Sequence, residues 1–329
     1  MADALSAGYD AVLFDLDGTL YRGSQVIPGA PEALRALRDH GTAIRFVTNN
    51  ASKAPAEVVA HLEALDLPAG PDEVHTSSQA AAALLGERLP QGAVVLVVGT
   101  ESLAAEIASA GLRPVREAGP DVAAVVQGHS PENTWAALAE ACLAIRSGAL
   151  WVATNTDATL PSERGLLPGN GSMVAALRAA TDVEPLVAGK PAPLLFTTAA
   201  RDAGAERALV VGDRLDTDIE GAVAAGIDSL CVLTGVADAA SLLKATSAER
   251  PRYLSADLAG LDQRPDLLEI GPKDGWQVSA LDGVLTVQGE GDSLDLLRAL
   301  CAVAWESGST AVRGEDDSAR AALAELRLT

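Results

Sequence analysis

Two aspartates, Asp15 and Asp17, follow the first apolar run of the chain, Ala11–Phe14, and a Gly-Thr pair comes directly after them. The apolar run predicts a buried parallel strand, and open α/β sheets bind ligands at the carboxyl ends of such strands. Two carboxylates at that end could supply a nucleophile beside an acid and base. Taken alone, the segment is more typical of a polar turn that leaves a strand. Other residues must therefore show whether the two aspartates are catalytic.

Further polar residues lie where other predicted strands end or where a predicted helix begins. They are Thr48, Asn49 and Asn50, then Lys190 within Gly189-Lys190-Pro191, then Asp213 and Asp218. The carboxyl ends of the strands in a doubly wound sheet share one edge, so residues far apart in sequence can face one crevice. We therefore expect carboxylates, a hydroxyl, amides and one ammonium to converge on one site.

A divalent cation and a phosphoryl group would suit this set of side chains. Clustered carboxylates without a metal repel one another, whereas a hard cation with oxygen ligands removes that cost, and Mg²⁺ is the natural candidate. Lys190 and Thr48 suit phosphate oxygens. Asp15 would attack phosphorus, and Asp17 would protonate the leaving alkoxide and then activate the water that hydrolyses the aspartyl phosphate. The acid role requires a pKa of Asp17 above the ordinary ~3.9.

The elements that must position these residues alternate between strand-like and helical patterns up to residue 235. This alternation predicts an α/β fold with a doubly wound, Rossmann-like parallel-sheet core. A separate α/β series between Asn50 and Lys190 predicts an inserted domain. Beyond residue 262, Asp282-Gly283 between two strand-like runs predicts a hairpin in a small α+β appendage. The appendage is of marginal size for independent folding, so we expect it to pack on the rest.

The predicted boundaries divide the chain into three parts. Residues 1–79 and 186–262 form the core, residues 80–185 form the inserted cap, and residues 263–329 form the appendage. In the cap, Trp135 and Trp151 are predicted to be packed, and Glu163 and Arg164 lie in a long loop that could face a substrate. Helices are predicted to begin at Pro131 and at Gly189-Lys190-Pro191.

The composition excludes several classes of partner. The chain has 329 residues, with 24 Lys and Arg against 45 Asp and Glu, and a formal net charge of -21. Nucleic acids and membrane surfaces both favour positive charge, so neither is expected as a partner. No apolar run reaches the ~20 residues of a membrane span, no leader sequence is recognised, and Cys142, Cys231 and Cys301 lack metal-ligand spacing. A reduced, cytoplasmic protein is predicted, and a homo-oligomer is compatible with the sequence.

The polar clusters, taken in order, resemble the four motifs of the haloacid dehalogenase (HAD) superfamily. The motifs are Asp15-Leu16-Asp17-Gly18-Thr19, a strand that ends in Thr48, Lys190 within Gly189-Lys190-Pro191, and Gly212-Asp213 followed by Asp218. The insertion after motif two takes the cap position of the NagD-like, para-nitrophenylphosphatase-like subfamily. The resemblance covers residues 9 to about 260.

The resemblance implies a magnesium-dependent phosphatase that acts on a small phosphorylated metabolite through an aspartyl phosphate. Asp15 is implied as the nucleophile and Asp17 as the general acid and base. The implied magnesium ligands are the Asp15 carboxylate, the Asp17 backbone carbonyl and Asp213, with Asp218 behind them. The implied phosphate-binding residues are Thr48, Asn49, Asn50 and Lys190. The whole chain, with its appendage, looks most like bacterial glycerol 3-phosphate phosphatases that carry an acetyltransferase-like region, and only this closer resemblance suggests the substrate.

Several alternatives stay open. Phosphoglycolate, pyridoxal phosphate or a nucleoside monophosphate could be the substrate, and a catalytically inactive binding protein would carry the same motifs. A response-regulator receiver also uses clustered aspartates with Thr and Lys, but its single-domain length leaves no room for the insertion. A Gly169-Asn170-Gly171 segment resembles a dinucleotide fingerprint, but Val174 occupies the third glycine position. An acetyltransferase activity would need a Gly-rich acyl-CoA loop, which we do not find in the appendage.

Overall fold

A computed structural model describes residues 4–162 and 165–328. Its strands, in chain order, are β1 (Ala11–Phe14), β2 (Tyr21–Arg22), β3 (Gln25–Val26), β4 (Ala43–Thr48), β5 (Val74–Thr76), β6 (Val94–Val98), β7 (Arg113–Val115), β8 (Val122–Gln127), β9 (Leu150–Ala153), β10 (Thr159–Ser162), β11 (Gly165–Pro168), β12 (Leu186–Val187), β13 (Ala208–Gly212), β14 (Asp228–Val232), β15 (Tyr253–Ser255), β16 (Trp276–Leu281), β17 (Val284–Gly289) and β18 (Ala311–Gly314). Its α-helices are α1 (Ala30–Asp39), α2 (Pro55–Ala64), α3 (Ser77–Arg88), α4 (Glu101–Ser109), α5 (Trp135–Arg146), α6 (Asn170–Thr181), α7 (Leu194–Asp202), α8 (Glu220–Ala225), α9 (Ala239–Leu243), α10 (Pro265–Leu268), α11 (Ser293–Ser307) and α12 (Asp317–Glu325).

The chain divides into two compact units. The first unit comprises Met1–Phe46, Leu65–Leu67 and Ala200–Thr329, and the second comprises Val47–Ala64 and Pro68–Ala199. The limits of these two units do not coincide with the domain boundaries predicted after residues 79, 185 and 262. Those domain boundaries stay a prediction. Among the described residues, no helix combines the length and apolar character that a membrane crossing requires.

Strand β1 lies inside the parallel sheet of the first unit. The strands of this unit follow the order β15-β14-β13-β1-β4, and each neighbouring pair is parallel. Phe14 at the end of β1 pairs with Val211 on one side and with Phe46 on the other. All four residues of β1 are fully buried, as expected for a parallel strand covered on both faces. This order confirms the predicted doubly wound core and places the residue after Phe14 at a switch point of the sheet.

The C-terminal appendage belongs to the first unit and shares its hydrophobic core. Strands β16 and β17 form the predicted hairpin, with positive φ at both Asp282 and Gly283, as a type I′ turn requires. Leu297 of α11 lies in the same buried cluster as Leu242 of α9. Trp305 Nε1 donates a hydrogen bond to the Leu242 carbonyl at 2.9 Å. The expectation that the appendage packs on the rest of the chain is therefore confirmed.

The second unit contains a parallel sheet of its own. Its strands follow the order β12-β9-β8-β6-β7, and a separate hairpin joins β10 to β11. Strand β6 is buried along its whole length, and Trp151 of β9 is buried and donates to Gln127 Oε1 at 3.2 Å. An α/β insertion with several parallel strands is what the alternating sequence pattern predicts.

Two helices begin later than their sequence predicts. The helix expected from Pro131 begins at Trp135, because the Thr134 side chain caps it by accepting the Ala137 N–H at 3.2 Å. The helix expected at Gly189-Lys190-Pro191 begins at Leu194, because a turn closed by the Ala192 N–H and the Gly189 carbonyl at 2.9 Å comes first. The strands of two or three residues were not predicted, since so few residues show no periodicity.

Candidate active site

The loop after β1 places its two aspartates in different surroundings. Asp15 is 8% exposed, and its N–H donates to the Val211 carbonyl at 2.9 Å, which continues the pairing of β1 with β13. Asp17 is exposed. The chain then folds back sharply, since the Gly18 N–H donates to the Tyr21 carbonyl at 2.7 Å. The turn therefore presents one buried and one exposed carboxylate within three residues.

Asp213 follows β13 and is held by main-chain and hydroxyl donors. Its side chain is fully buried, and its Oδ2 accepts the Val236 N–H at 2.7 Å. Its Oδ1 accepts the Thr19 hydroxyl at 3.3 Å. These bonds fix the carboxylate between the loop after β1 and the loop after β14, so its position follows from the backbone of both.

Asp218 lies in a single π-helical turn, Leu215–Ile219, which precedes α8. It is fully buried, and its Oδ2 accepts the Arg214 N–H at 3.1 Å. Such widened turns occur often at functional sites, because they redirect a side chain that a regular helix would aim elsewhere. Here the turn brings the Asp218 side chain back to the end of β13.

Glycines leave room for the Asp213 carboxylate. Gly18 has φ +98, and a Cβ there would lie 2.6 and 2.7 Å from Asp213 Cγ and Oδ1. A Cβ on Gly235 would overlap the same carboxylate. Only residues without a side chain allow the loops to approach Asp213 this closely, so the cluster depends on glycine at both positions.

The three buried carboxylates could hold a divalent cation. Ligand oxygens of Asp15, Asp213 and Asp218 all lie within 4.8 Å of one another. Oxygen ligands from carboxylates at this spacing suit a hard cation such as Mg²⁺, which also removes the repulsion among them. The donor set therefore fits the metal that the sequence predicts, and it brings Asp218 into the same cluster as the predicted ligands.

The negative charge of this region acts on neighbouring groups. Burial raises the pKa of Tyr21 above its ordinary value, and the nearby Asp15 and Asp17 raise it further. Burial also raises the pKa of the Cys231 thiol, with a further contribution from Asp213 and Asp218. The phenol and the thiol therefore stay protonated, and neither adds another negative charge to the site.

The residues after β4 lie in the second unit. Thr48 is 7% exposed, and its Oγ1 accepts the Asn50 N–H at 3.1 Å. The Asn50 side chain accepts the Ser52 N–H at 2.8 Å and the Ser52 hydroxyl at 2.6 Å. These contacts hold the strand exit in a tight turn, and the phosphate-binding roles of Thr48 and Asn50 stay predictions.

Lys190 is almost completely buried, at 2% exposure. Its Nζ donates to the Val47 carbonyl at 3.4 Å and lies 6.0 Å from the centroid of the Phe196 ring. The Lys190 N–H donates to Asn49 Oδ1 at 2.8 Å, and Asn49 Nδ2 donates to the Lys190 carbonyl at 3.1 Å. The structure thus joins Asn49 and Lys190, two residues that the sequence predicted to share a site.

Some residues near the site were not predicted. Asp157 and Asn155 follow β9 and contact Asn49: the distances from Asn49 Nδ2 to the two Asp157 carboxylate oxygens are both 3.3 Å, and Asn155 Nδ2 donates to the Asn49 carbonyl at 2.7 Å. The signal that could have identified them is the same as for Thr48, a polar run directly after an apolar strand. Trp135, predicted to be packed, is 83% exposed, so that prediction was wrong. The cap residues 163 and 164 lie outside the described part of the chain.

Three models of known protein families match segments of this chain. A haloacid dehalogenase-like hydrolase model matches residues 12–113, and a HAD-hydrolase-like model matches residues 187–261. A GCN5-related N-acetyltransferase-like model matches residues 273–328. The chain belongs to the haloacid dehalogenase-like hydrolase family, as its four motifs predict. The third match agrees with the predicted acetyltransferase-like appendage.

The chain is similar to proteins of several bacteria. D-glycerol 3-phosphate phosphatase of Mycobacterium tuberculosis is 50% identical, and the match covers 97% of this chain and 94% of that protein. The crystal structure of a glycerol phosphate phosphatase from the same organism in complex with magnesium has a TM-score of 0.95, with 50% identity and 99% of each chain covered. A 5'-nucleotidase of Bacillus subtilis is 40% identical over 69% of this chain and 88% of its own length.

Structures of para-nitrophenylphosphatases share the fold as well. A 4-nitrophenylphosphatase of Thermotoga maritima has a TM-score of 0.73 and 31% identity, and the match covers 78% of this chain and 98% of that one. The resemblance to the para-nitrophenylphosphatase-like subfamily is therefore confirmed.

Proposed function

We propose that this chain is a magnesium-dependent phosphatase of small phosphate monoesters and that its main substrate is glycerol 3-phosphate. The observation that carries the proposal is the cluster of Asp15, Asp213 and Asp218, three buried carboxylates within 4.8 Å at the end of the central strands. The similarity to the D-glycerol 3-phosphate phosphatase of Mycobacterium tuberculosis, at 50% identity over nearly the whole chain, supports the substrate.

Asp15 is the nucleophile in this proposal. Its carboxylate oxygen forms a bond to phosphorus while the bond from phosphorus to the alcohol oxygen breaks, which leaves a phosphoryl group on Asp15. Asp17 gives a proton to the departing alkoxide and then takes one from the water that attacks the phosphoryl group. As the water oxygen bonds to phosphorus, the bond from phosphorus to the Asp15 oxygen breaks, which releases inorganic phosphate and restores the Asp15 carboxylate. The exposed position of Asp17 suits this exchange of protons with substrate and water.

The remaining residues bind the metal and the phosphate oxygens. Asp15, Asp213 and the Asp17 backbone carbonyl would hold magnesium, with Asp218 beside them. A bound magnesium ion would offset the negative charge of the carboxylates and of the phosphoryl group. Lys190 provides a positive charge, and Thr48 and Asn50 provide hydrogen bonds to phosphate oxygens. The Asn49 amide already bonds the main chain of Lys190.

A second candidate substrate class is the nucleoside monophosphates. The observation that favours it is the 40% identity to a 5'-nucleotidase of Bacillus subtilis, although that match covers only 69% of this chain. The residues of the core recognise phosphate, whereas the inserted cap at residues 80–185 would select the alcohol.

We further propose that the enzyme acts in the cytoplasm, which agrees with the free state of all three cysteines.

The experiment that tests the proposal is a phosphate-release panel with metal-depleted enzyme. Glycerol 3-phosphate, phosphoglycolate, pyridoxal phosphate and a nucleoside monophosphate are compared, each with and without added magnesium. We expect turnover only with the metal and the highest kcat/KM for glycerol 3-phosphate. Similar kcat/KM values for all four compounds would contradict the substrate assignment but not the phosphatase activity. No turnover of any of them with magnesium would contradict both.

A further inference from the structure

Asn49 holds both main-chain polar groups of Lys190. Its Oδ1 accepts the Lys190 N–H at 2.8 Å, and its Nδ2 donates to the Lys190 carbonyl at 3.1 Å. One amide that bonds the N–H and the C=O of the same residue fixes the position and the orientation of that residue. Both partners are buried, Asn49 at 9% and Lys190 at 2% exposure, so water does not compete well for these bonds.

The Asn49 side chain has no donor left for a phosphate oxygen. An asparagine amide has two N–H donors and one carbonyl oxygen. One N–H bonds the Lys190 carbonyl, and the other faces the Asp157 carboxylate, with 3.3 Å from Nδ2 to each carboxylate oxygen. A carboxylate acceptor strengthens such a bond. This use of the amide argues for a positioning role rather than for direct contact with the substrate.

The backbone on the other side of Lys190 is held as firmly. The Gly189 N–H donates to the Thr154 carbonyl at 2.8 Å, and the Ala188 N–H donates to the Ala153 carbonyl at 3.0 Å. A Cβ on Gly189 would lie 2.5 Å from Asn49 Oδ1, so the approach of Asn49 depends on glycine at this position. The chain that leads to Lys190 is therefore fixed by the end of β9 and by Asn49.

Asp157 connects this arrangement to the cap. It lies between β9 and β10, and its carbonyl accepts the Gly171 N–H at 2.9 Å at the start of α6. Its own N–H donates to Asn155 Oδ1 at 3.3 Å, and Asn155 Nδ2 donates to the Asn49 carbonyl at 2.7 Å. The loop of residues 155–157 thus contacts Asn49 through two independent hydrogen-bonded routes.

We propose that Asn49 and Asp157 form a clamp that positions Lys190, so that the cap loop helps to place the ammonium that binds the phosphate. The role assigned to Lys190 rests on the proposed function. The clamp differs from the phosphate-binding role predicted for Asn49, because it acts through Lys190 and not on the substrate.

A double-mutant cycle on kcat/KM for p-nitrophenyl phosphate separates the two roles. The variants are Asn49→Ala, Lys190→Arg and the double variant, with Asn133→Ala as a matched control. Asn133 also donates an amide hydrogen bond to a main-chain carbonyl of the second unit, that of Gly128 at 3.0 Å. If Asn49 acts through Lys190, Asn49→Ala should lower kcat/KM about 100-fold in the wild type. In the Lys190→Arg background the same substitution should lower kcat/KM by about tenfold or less. We expect Asp157→Asn to cause a smaller fall that disappears in the Asn49→Ala background.

Equal costs of Asn49→Ala in both Lys190 backgrounds would overturn the clamp. A second measurement, which does not depend on turnover, is hydrogen exchange at the Lys190 amide. Its exchange should accelerate in Asn49→Ala and not in Asn133→Ala, and unchanged exchange in Asn49→Ala would also overturn the clamp. If the wild type hydrolyses no phosphate ester, the proposed function fails, and the exchange measurement still decides whether Asn49 holds Lys190.

Discussion

Asp15 and Asp17 lie two residues apart, and the loop after β1 gives them different degrees of exposure. Asp15 is buried and belongs to the carboxylate cluster, whereas Asp17 is exposed. A nucleophile gains from a fixed position, and an acid and base gains from access to substrate and water. The two positions therefore fit the two roles, and the roles can be separated by changing the leaving group.

Replacement of Asp17 by Asn should affect good and poor leaving groups differently. We expect kcat on glycerol 3-phosphate to fall by about 10²- to 10⁴-fold, since the alkoxide loses its proton donor. p-Nitrophenolate leaves without a proton, so the same variant should release about one equivalent of it per enzyme in a burst and then turn over slowly. Stopped-flow absorbance measures this burst.

The matched control for this variant is Asp216→Asn. Asp216 is an exposed aspartate near the same site, and its carboxylate pairs with the Arg214 guanidinium at 2.7 Å. Its replacement should leave the rates on glycerol 3-phosphate and on p-nitrophenyl phosphate close to those of the wild type. An unchanged kcat of Asp17→Asn on glycerol 3-phosphate would show that Asp17 is not the acid.

The cysteines provide a test of burial that is independent of catalysis. Burial raises the pKa of the Cys301 thiol to about 12, and Cys231 is shifted upwards as well. At pH 8 the folded protein should therefore react with iodoacetamide at the half-buried Cys142 and hardly at the other two. Peptide mass spectrometry measures the labelling, and all three cysteines should react in urea.

The same shift has a consequence for stability. A thiol whose pKa is raised by folding makes its full contribution to folding stability at pH values below the ordinary thiol pKa of ~8.5. This contribution is lost as the pH rises towards the folded-state pKa of about 12. Stability should therefore decline above pH 8.5. Labelling of Cys301 as fast as that of Cys142 in the folded protein would contradict its burial.

At the scale of elements, the loop after β1 determines whether the metal site can form. Gly18 allows that loop to lie against Asp213, whereas Gly23 nearby has φ +58 and a Cβ added there would meet nothing within 4 Å. Both positions are left-handed, so an alanine costs about 1 kcal/mol of backbone strain at either one. Of these two positions, Gly18 is the one at which the added Cβ collides with a carboxylate, that of Asp213.

Gly18→Ala should therefore weaken magnesium binding by about 10- to 100-fold, as do changes in groups that orient metal ligands. Gly23→Ala should show the strain alone, with unchanged affinity for the metal. Titration of phosphatase activity with magnesium, and calorimetry of the metal with each variant, measure the effect. Equal magnesium affinities of the two variants would contradict the role given to Gly18.

The elements themselves were largely predictable from the sequence, because their signals are local. The apolar run Val94–Val98 matches β6 in full, and Asp282-Gly283 marks the hairpin turn. The contact between Asn49 and Lys190 was not predictable, since it joins side chain to backbone across 141 positions. Sequence order placed both residues at one edge of the fold, but it carries no information on where an amide points.

At the scale of the whole molecule, the appendage and the catalytic core of the first unit share one hydrophobic cluster. Leu297 and Leu300 of α11 belong to the same cluster as Ile219 in the π-helical turn that holds Asp218. Arg298 also donates to the Leu254 carbonyl of β15 through Nε at 3.1 Å and a terminal nitrogen at 2.7 Å. Loss of this packing should therefore affect the catalytic residues, even though none of them lies in the appendage.

Leu297→Ala should lower the free energy of unfolding by about 2–5 kcal/mol, as is usual for a fully buried leucine. Leu281→Ala removes the same atoms from a side chain that is 62% exposed, and it should change stability by about 0.5 kcal/mol or less. Urea unfolding followed by fluorescence and by residual phosphatase activity measures both variants. The two signals should fall together, and activity that persists after the appendage has unfolded would contradict the shared core.

The central claim is that Asp15 is the nucleophile of a magnesium-dependent phosphatase. Its most direct test is phosphate release from glycerol 3-phosphate by the wild type and by Asp15→Asn, each at saturating magnesium. The uncatalysed hydrolysis of phosphate monoesters is so slow that enzymes accelerate it by up to ~10²¹-fold, so removal of the nucleophile should abolish measurable turnover. Turnover by the wild type and none by the folded variant is the predicted result. Retention of a substantial fraction of the wild-type rate by Asp15→Asn would contradict the covalent mechanism.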